Sequence, residues 1–287
     1  MPDSFDLIPV KKTINCKGKL IDLSRGRIMG ILNVTPDSFF DGGKFNDMDT
    51  QLSQVEKMLH DGADFIDIGG FSTRPGADEV TEEDELKRVI PIIESIANKF
   101  PEAIISIDSF RAKVAEQAII AGAAMINDVT AGEGDSDMLE TVAKLQVPYI
   151  IMHKQGTFKD MQAEPHYGHV VREVIQYLSF KIEKLTELGV HDIIVDPGFG
   201  FGKTLEHNFQ LLKYLDLLRI LGKPILAGAS RKSMINKLLK TRPENALTGT
   251  IAVNTLARLG GADIIRVHDV KEAVETLKVI NFYRETV

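Results

Sequence analysis

The sequence predicts a single (β/α)8 barrel of the TIM type preceded by an N-terminal β-hairpin, and three observations carry that reading. Eight short, β-branched apolar runs recur along the 287 residues, a stretch with helical spacing follows each run, and no Pro/Gly/Ser-rich linker, charge block or low-complexity segment divides the chain. Continuous apolar runs of this kind fit strands buried on both faces, as in parallel sheets. Their alternation with helices implies βαβ units, and eight such units close into a barrel of ~250 residues. A doubly wound open sheet is the competing architecture, although it rarely reaches eight strands without a second domain. The expected organisation is residues 1–27 as a hairpin extension and residues 28–287 as the barrel.

The hairpin comes first. Thr13–Asp22 reads as strand, turn at Lys17-Gly18-Lys19, strand, and is expected to close the bottom of the barrel. The eight barrel strands follow at Ile28–Leu32, Phe65–Ile68, Ile104–Ile107, Met125–Ile126, Tyr149–Met152, Ile193–Val195, Ile225–Ala227 and Ile264–Val267. Between them, Leu52, Val55, Met58 and Leu59 recur at three and four residues. So do Val89, Ile92, Ile93 and Ile96, and again Leu178, Ile182, Leu185 and Leu188, each set marking one apolar helix face.

Composition removes several functional classes. With 34 basic and 41 acidic residues the net charge is −7, which argues against a nucleic-acid partner. One cysteine, Cys16, can make neither an internal disulfide nor a thiolate zinc cluster. No stretch approaches the ~18 apolar residues of a membrane span. The first dozen residues carry Asp3 and Asp6 and no apolar core, so no signal peptide is expected and the cytoplasm is the expected location.

Barrel enzymes place their chemistry at the C-terminal ends of the strands. All eight predicted strands end in polar residues: Asn33; Ser72-Thr73-Arg74; Asp108-Ser109; Asn127-Asp128; His153-Lys154; Asp196 with Lys203; Ser230-Arg231-Lys232; and Arg266 with His268. Taken singly, Asp108 and Asn127 are equally well read as helix caps, Lys203 as a solvated loop charge and His153 as a core histidine. Taken together, Asp108, Asn127, Asp196 and Lys232 converge on the mouth. Two carboxylates, an amide and an ammonium suit a flat heterocycle rich in donors and acceptors. Arg74, Arg266 and His268 add positive charge suited to phosphate, and Arg266 could instead stack on an aromatic ligand. Hard oxygen donors such as Asn33 suit magnesium rather than zinc. Two Gly/Pro-containing loops, 34–46 with Phe39-Phe40 and 70–78, read either as lids or as segments buried against the rim.

Five ordered segments then become specific: Met29–Phe39, Asp67–Gly76, Asp196–Lys203, Ser230–Ser233 and Arg266–Asp269. From about Ile28 to the C-terminus the chain resembles the dihydropteroate synthases. The resemblance implies joining of 6-hydroxymethyl-7,8-dihydropterin pyrophosphate to p-aminobenzoate, with release of pyrophosphate, in folate biosynthesis. It implies that Asp108, Asn127, Asp196, Lys232 and Arg266 bind the pterin. Asn33, Thr73, Arg74, Arg266 and His268 would bind pyrophosphate, with magnesium at Asn33. Pro75, Phe201, Ser230 and Lys232 would contact p-aminobenzoate, and Asp108, Lys232, Arg266 and His268 would carry the catalysis. The family is usually dimeric. The departures are Phe71 where the family commonly has Glu, Phe40 and Ala229 where Ser and Leu are usual, and Lys154 where Met is frequent.

Two other readings compete. Lys232 beside the cation Arg231 could be a Schiff-base nucleophile of lowered pKa. A pterin-binding subunit without catalysis would share the ring-binding acids and amide, but would not need the cationic set at Arg231, Lys232, Arg266 and His268.

Overall fold

In a computed structural model of the chain, residues 10–34, 44–71, 80–157, 161 and 165–286 are described. The hairpin is strands β1 (Thr13–Cys16) and β2 (Lys19–Asp22), paired antiparallel with Cys16 opposite Lys19. Lys17 and Gly18 between them both have positive φ, 52° and 83°. This is the two-residue loop whose twist matches that of the flanking strands.

The barrel strands are β3 (Arg27–Asn33), β4 (Phe65–Gly69), β5 (Ile105–Asp108), β6 (Met125–Asp128), β7 (Tyr149–Met152), β8 (Ile193–Asp196), β9 (Leu226–Ala227) and β10 (Ile264–Val267). All are parallel, in spatial order β8-β7-β6-β5-β4-β3-β10-β9. A parallel bridge between Val195 and Ile225 joins the ends of the row and closes the barrel. Helices return the chain between strands: α1 (Lys44–His60), α2 (Glu82–Lys99), α3 (Ala112–Ala121), α4 (Met138–Leu145), α5 (Val170–Glu187), α6 (Leu205–Lys213), α7 (Ser233–Leu239) and α8 (Leu247–Leu259), with α9 (Val270–Glu285) after β10. The predicted apolar stripes lie on the buried faces of their helices except at Leu188, which follows α5 and is exposed; Val89, Ile92, Ile93 and Ile96 of α2 are fully buried. Among the described residues no helix is long and apolar enough to cross a membrane.

Two apolar clusters divide the interior. The larger fills the layer between strands and helices. The smaller fills the barrel itself at its lower end, where Met29, Phe65, Met125, Ile150, Ile194, Leu226 and Ile264 meet Ile14, Cys16, Ile21 and Leu23 of the hairpin segment. The hairpin is thus the floor of the barrel, as expected. Lys12 is tied to Asp263 and Lys11 to Asp192, both at 2.6 Å, on the strand-entry side.

Side chains alternate along a strand, so inward positions recur every second residue. Going up the strands, inward residues change from apolar to polar: Phe65 to Asp67, Met125 to Asn127, Ile194 to Asp196, Ile264 to Arg266 and then His268. The floor is hydrocarbon; the next level and the mouth are charged. That switch, repeated on neighbouring strands, positions the site.

Candidate active site at the barrel mouth

The centre of the mouth is Arg266. Its Nε donates to Asp67 Oδ2 at 2.6 Å and its Nη2 to Asp108 Oδ2 at 2.7 Å, so strands β10, β4 and β5 are joined through one guanidinium. Asn127 of β6 donates from Nδ2 to the same Asp67 oxygen at 2.9 Å. A carboxylate only accepts, so the amide nitrogen faces Asp67 and the amide oxygen faces away, toward whatever the site binds. Burial pushes the Asp108 carboxyl up to about 7, with Asp67, Glu85 and Asp128 adding to the rise and Arg266 opposing it. Asp108 caps no helix: α3 begins with its first amide bonded to Asp135 and the Arg111 amide bonded to Ser109.

Asp196 ends β8 and is buried. Its Oδ1 accepts the Gly198 amide at 2.7 Å, and its pKa is raised, chiefly by burial, with Lys232 opposing. Lys232 reaches back from the start of α7, donating to the Phe199 carbonyl at 2.8 Å with its ammonium 4.7 Å from the centre of the Phe201 ring. Burial lowers its pKa to about 8 against the attraction of Asp196, and the cation that adds to the lowering is Arg266. Arg231, the expected cause, is instead engaged by both oxygens of Asp269. A Cβ placed on Gly228 would lie 3.8 Å from each of Arg266 Cβ, Asp196 Oδ2 and Lys232 Nζ, so that glycine is a bare wall between these groups.

Ser230 and His268 form a pair on the rim. Ser230 Oγ accepts the His268 amide at 3.3 Å and lies 3.0 Å from His268 Nδ1. Which of the two donates in the Ser230–His268 side-chain contact depends on the tautomer of the ring, and either way the contact fixes the imidazole at the rim. Asn33 is exposed at the end of β3. Thr73, Arg74 and Pro75, together with the Phe39-Phe40 pair, lie outside the described residues. The structure therefore brings together Asp108, Asn127, Asp196, Lys232 and Arg266, with Phe201, Ser230 and His268 beside them.

Lys203 corrects the sequence reading. It is not a solvated charge but is 3% exposed, donating to the carbonyls of Gly198, Phe201 and His153 and meeting His153 Nδ1 at 3.0 Å. Burial lowers its pKa to about 7, and burial together with Lys203 depresses His153 to about 3, so His153 is the neutral core histidine expected. The lysine ties the β7 end to the Asp196–Lys203 loop. That loop also needs Gly198, with φ 71° and room for no side chain: a Cβ there would come within 1.9 Å of the His153 carbonyl oxygen. Phe71 packs edge-on to Phe110 at 5.4 Å and near Arg111 at 5.8 Å, so it is rim packing. Sequence reasoning gave no role to Asp67. A charge inside an otherwise apolar strand run was the available signal.

The family model of the Pterin binding enzyme matches residues 29–268. The dihydropteroate synthase of Haemophilus influenzae is 47% identical over 263 residues, covering 91% of this chain and 95% of the relative. Two solved structures of the Xanthomonas albilineans dihydropteroate synthase superpose closely. One, with 4-aminobenzoic acid, gives a TM-score of 0.90 at 41% identity, covering 97% of this chain and 100% of the other. The second, in complex with 7,8-dihydropteroate, gives 0.86 at 39% identity over 96% and 100%. A chain matched from its first barrel strand to the histidine of its mouth, and nearly end to end by these relatives, belongs to the pterin binding enzymes as a dihydropteroate synthase.

Proposed function

We propose that this barrel joins 6-hydroxymethyl-7,8-dihydropterin pyrophosphate to p-aminobenzoate by a dissociative displacement, with residues 28–287 as the catalytic unit and residues 1–27 as its extension. The observation that carries the reading is the constellation of buried Asn127 and Asp196 and half-buried Asp108 and Lys232 around Arg266. Its acceptors match the amino and ring N–H groups of a pterin, and its ammonium matches a ring nitrogen or carbonyl. Arg266 offers a planar face for stacking and a donor toward phosphate.

In the reaction the bond between the pterin methylene carbon and the pyrophosphate oxygen breaks, and the electron pair leaves with the oxygen. The resulting cation is delocalised over the pterin, and the Asp108 carboxylate stabilises it across a site from which water is largely excluded. Arg266 and His268 stabilise the departing anion, assisted by Thr73 and Arg74. The aniline nitrogen of p-aminobenzoate, held by Ser230, Lys232, Phe201 and Pro75, attacks the carbon; the C–N bond forms and the extra proton passes to water. An aniline needs no strong base for this, and no covalent enzyme intermediate arises, so Lys232 acts as a donor and not as a nucleophile.

Magnesium fits the site. Asn33 is an exposed oxygen donor at the mouth, and among the described residues no group of three or more His, Cys, Asp or Glu side chains is arranged to cage a metal. That suits an ion held mostly by phosphate oxygens and water. Held by Asn33, it would neutralise charge on the pyrophosphate. The relatives captured with 4-aminobenzoic acid and with 7,8-dihydropteroate support the substrate assignment. We also propose a cytoplasmic homodimer, for which sedimentation at twice the 31.8 kDa chain mass is the test; the exposed Leu256, Leu259, Val279, Phe282 and Tyr283 of α8 and α9 supply apolar surface for it.

The dissociative step is tested by positional isotope exchange. With the bridging oxygen of the pterin pyrophosphate labelled and p-aminobenzoate omitted, the label is expected to scramble into non-bridging positions. Turnover with p-aminobenzoate and no scrambling without it would favour a concerted displacement.

A further inference from the structure

The groups of the mouth rest on a carboxylate that does not reach it. Asp67 is 0% exposed, one inward position above the floor residue Phe65 on β4. A single oxygen, Oδ2, accepts from Arg266 Nε on β10 and from Asn127 Nδ2 on β6. The other oxygen, Oδ1, is buried and takes no hydrogen bond. We infer that Asp67 is a positioning residue for the synthase reaction, fixing the plane of the Arg266 guanidinium and the orientation of the Asn127 amide, and through them the pterin-recognising face. The inference rests on the reading of the mouth as a pterin site.

Two bonds from one edge of a guanidinium, Nε to Asp67 and Nη2 to Asp108, define its plane. Without the first, Arg266 is held at one corner by Asp108 alone and can turn about that bond. Asn127 presents an acceptor to the mouth only because its donor is taken by an acceptor-only partner below. Loss of that partner makes the two amide orientations comparable, and one of them opposes donor to donor against a pterin amino group.

Charge gives a second route from Asp67 to the chemistry. The groups facing Asp108 are Arg266 of β10, Asp67 of β4, Glu85 of α2 and Asp128 of β6, with Lys232 at the start of α7. Arg266 divides its charge between Asp67 and Asp108. Removing the Asp67 charge deletes one repulsive neighbour of Asp108 and releases Arg266 to it, and both changes favour the ionised Asp108.

Asp67→Asn keeps the shape and one acceptor while removing the charge. It is expected to weaken binding of 6-hydroxymethylpterin, a non-reacting probe, and to raise KM for the pterin pyrophosphate, each by on the order of tenfold. KM for p-aminobenzoate should stay within about twofold. The acid limb of kcat/KM should move down by roughly one pH unit. A purely structural carboxylate would lower the melting temperature without moving the limb or the pterin affinity, and a folded variant with both unchanged overturns the inference.

Exchange of the Arg266 Nε–H in the wild-type protein, followed by ¹⁵N NMR and identified by its loss in Arg266→Lys, tests the same clamp without an Asp67 variant. Slow exchange is expected, and fast exchange overturns the clamp. Failure of the wild type to release pyrophosphate would overturn the synthase reading instead, with the pterin titration still judging Asp67.

Discussion

Asp108 and Lys232 have ordinary chemistry in an unusual setting. Burial raises the carboxyl to about 7 and lowers the ammonium to about 8. The proposed roles need Asp108 ionised and Lys232 protonated. Asp108 loses its proton as pH rises through its pKa, and Lys232 loses its own above its pKa, so both are in the working state between about 7 and 8. The expected kcat/KM profile is a narrow bell over that window. Asp108→Asn should abolish the acid limb along with most of the rate; a limb that survives unchanged would assign it to another group. Lys203 titrates in the same range, but its contacts are with backbone carbonyls and His153. The residues proposed to recognise a ring were legible because polar side chains ended apolar runs. Lys203 was misread because a lysine after three glycines looks like loop charge, and nothing local shows that carbonyls from two segments converge on its ammonium. Asp67 lacked a role because its partners are 60 and 199 residues away.

At the level of elements, strand and helix identities followed from periodicity, whereas ends followed from contacts. β6 was read as Met125–Ile126 and runs on through Asn127 and Asp128, since barrel pairing continues into polar residues. β9 is only Leu226–Ala227, and Gly228 just beyond it forms the bare wall of the site. The hairpin was legible from its turn, and its place as a floor follows from the lower ends of the strands, which would otherwise leave Phe65 and Met125 facing water. Ile14 and Leu23 are buried in that floor. Ile14→Ala is expected to cost about 2–5 kcal/mol of stability in denaturant unfolding. Below the melting transition it should leave kcat unchanged, since the floor and the mouth are opposite ends of the barrel. A loss of kcat in the folded variant would mean that the floor shapes the mouth.

Across the whole molecule, a net charge of −7 meets an anionic substrate. Attraction must be local, and the structure narrows its sources. Arg231 is neutralised by Asp269, and Arg266 serves two carboxylates. Lys232 stands beside them at the mouth, with Arg74 as the expected further contribution. The overall architecture was legible because eight repeats of one unit have few ways to close. The two early loops were not, since their Gly/Pro content fits a lid and a rim equally well, and of these Phe71 turns out to pack on the rim.

The most direct test of the central claim is pyrophosphate release by the purified chain with magnesium. Release is expected only when 6-hydroxymethyl-7,8-dihydropterin pyrophosphate and p-aminobenzoate are both present, with 7,8-dihydropteroate formed in equal amount. Asp108→Ala and Lys232→Ala should lower it by on the order of a hundredfold or more while remaining folded. No release with both substrates, or wild-type rates in either variant, would contradict the account.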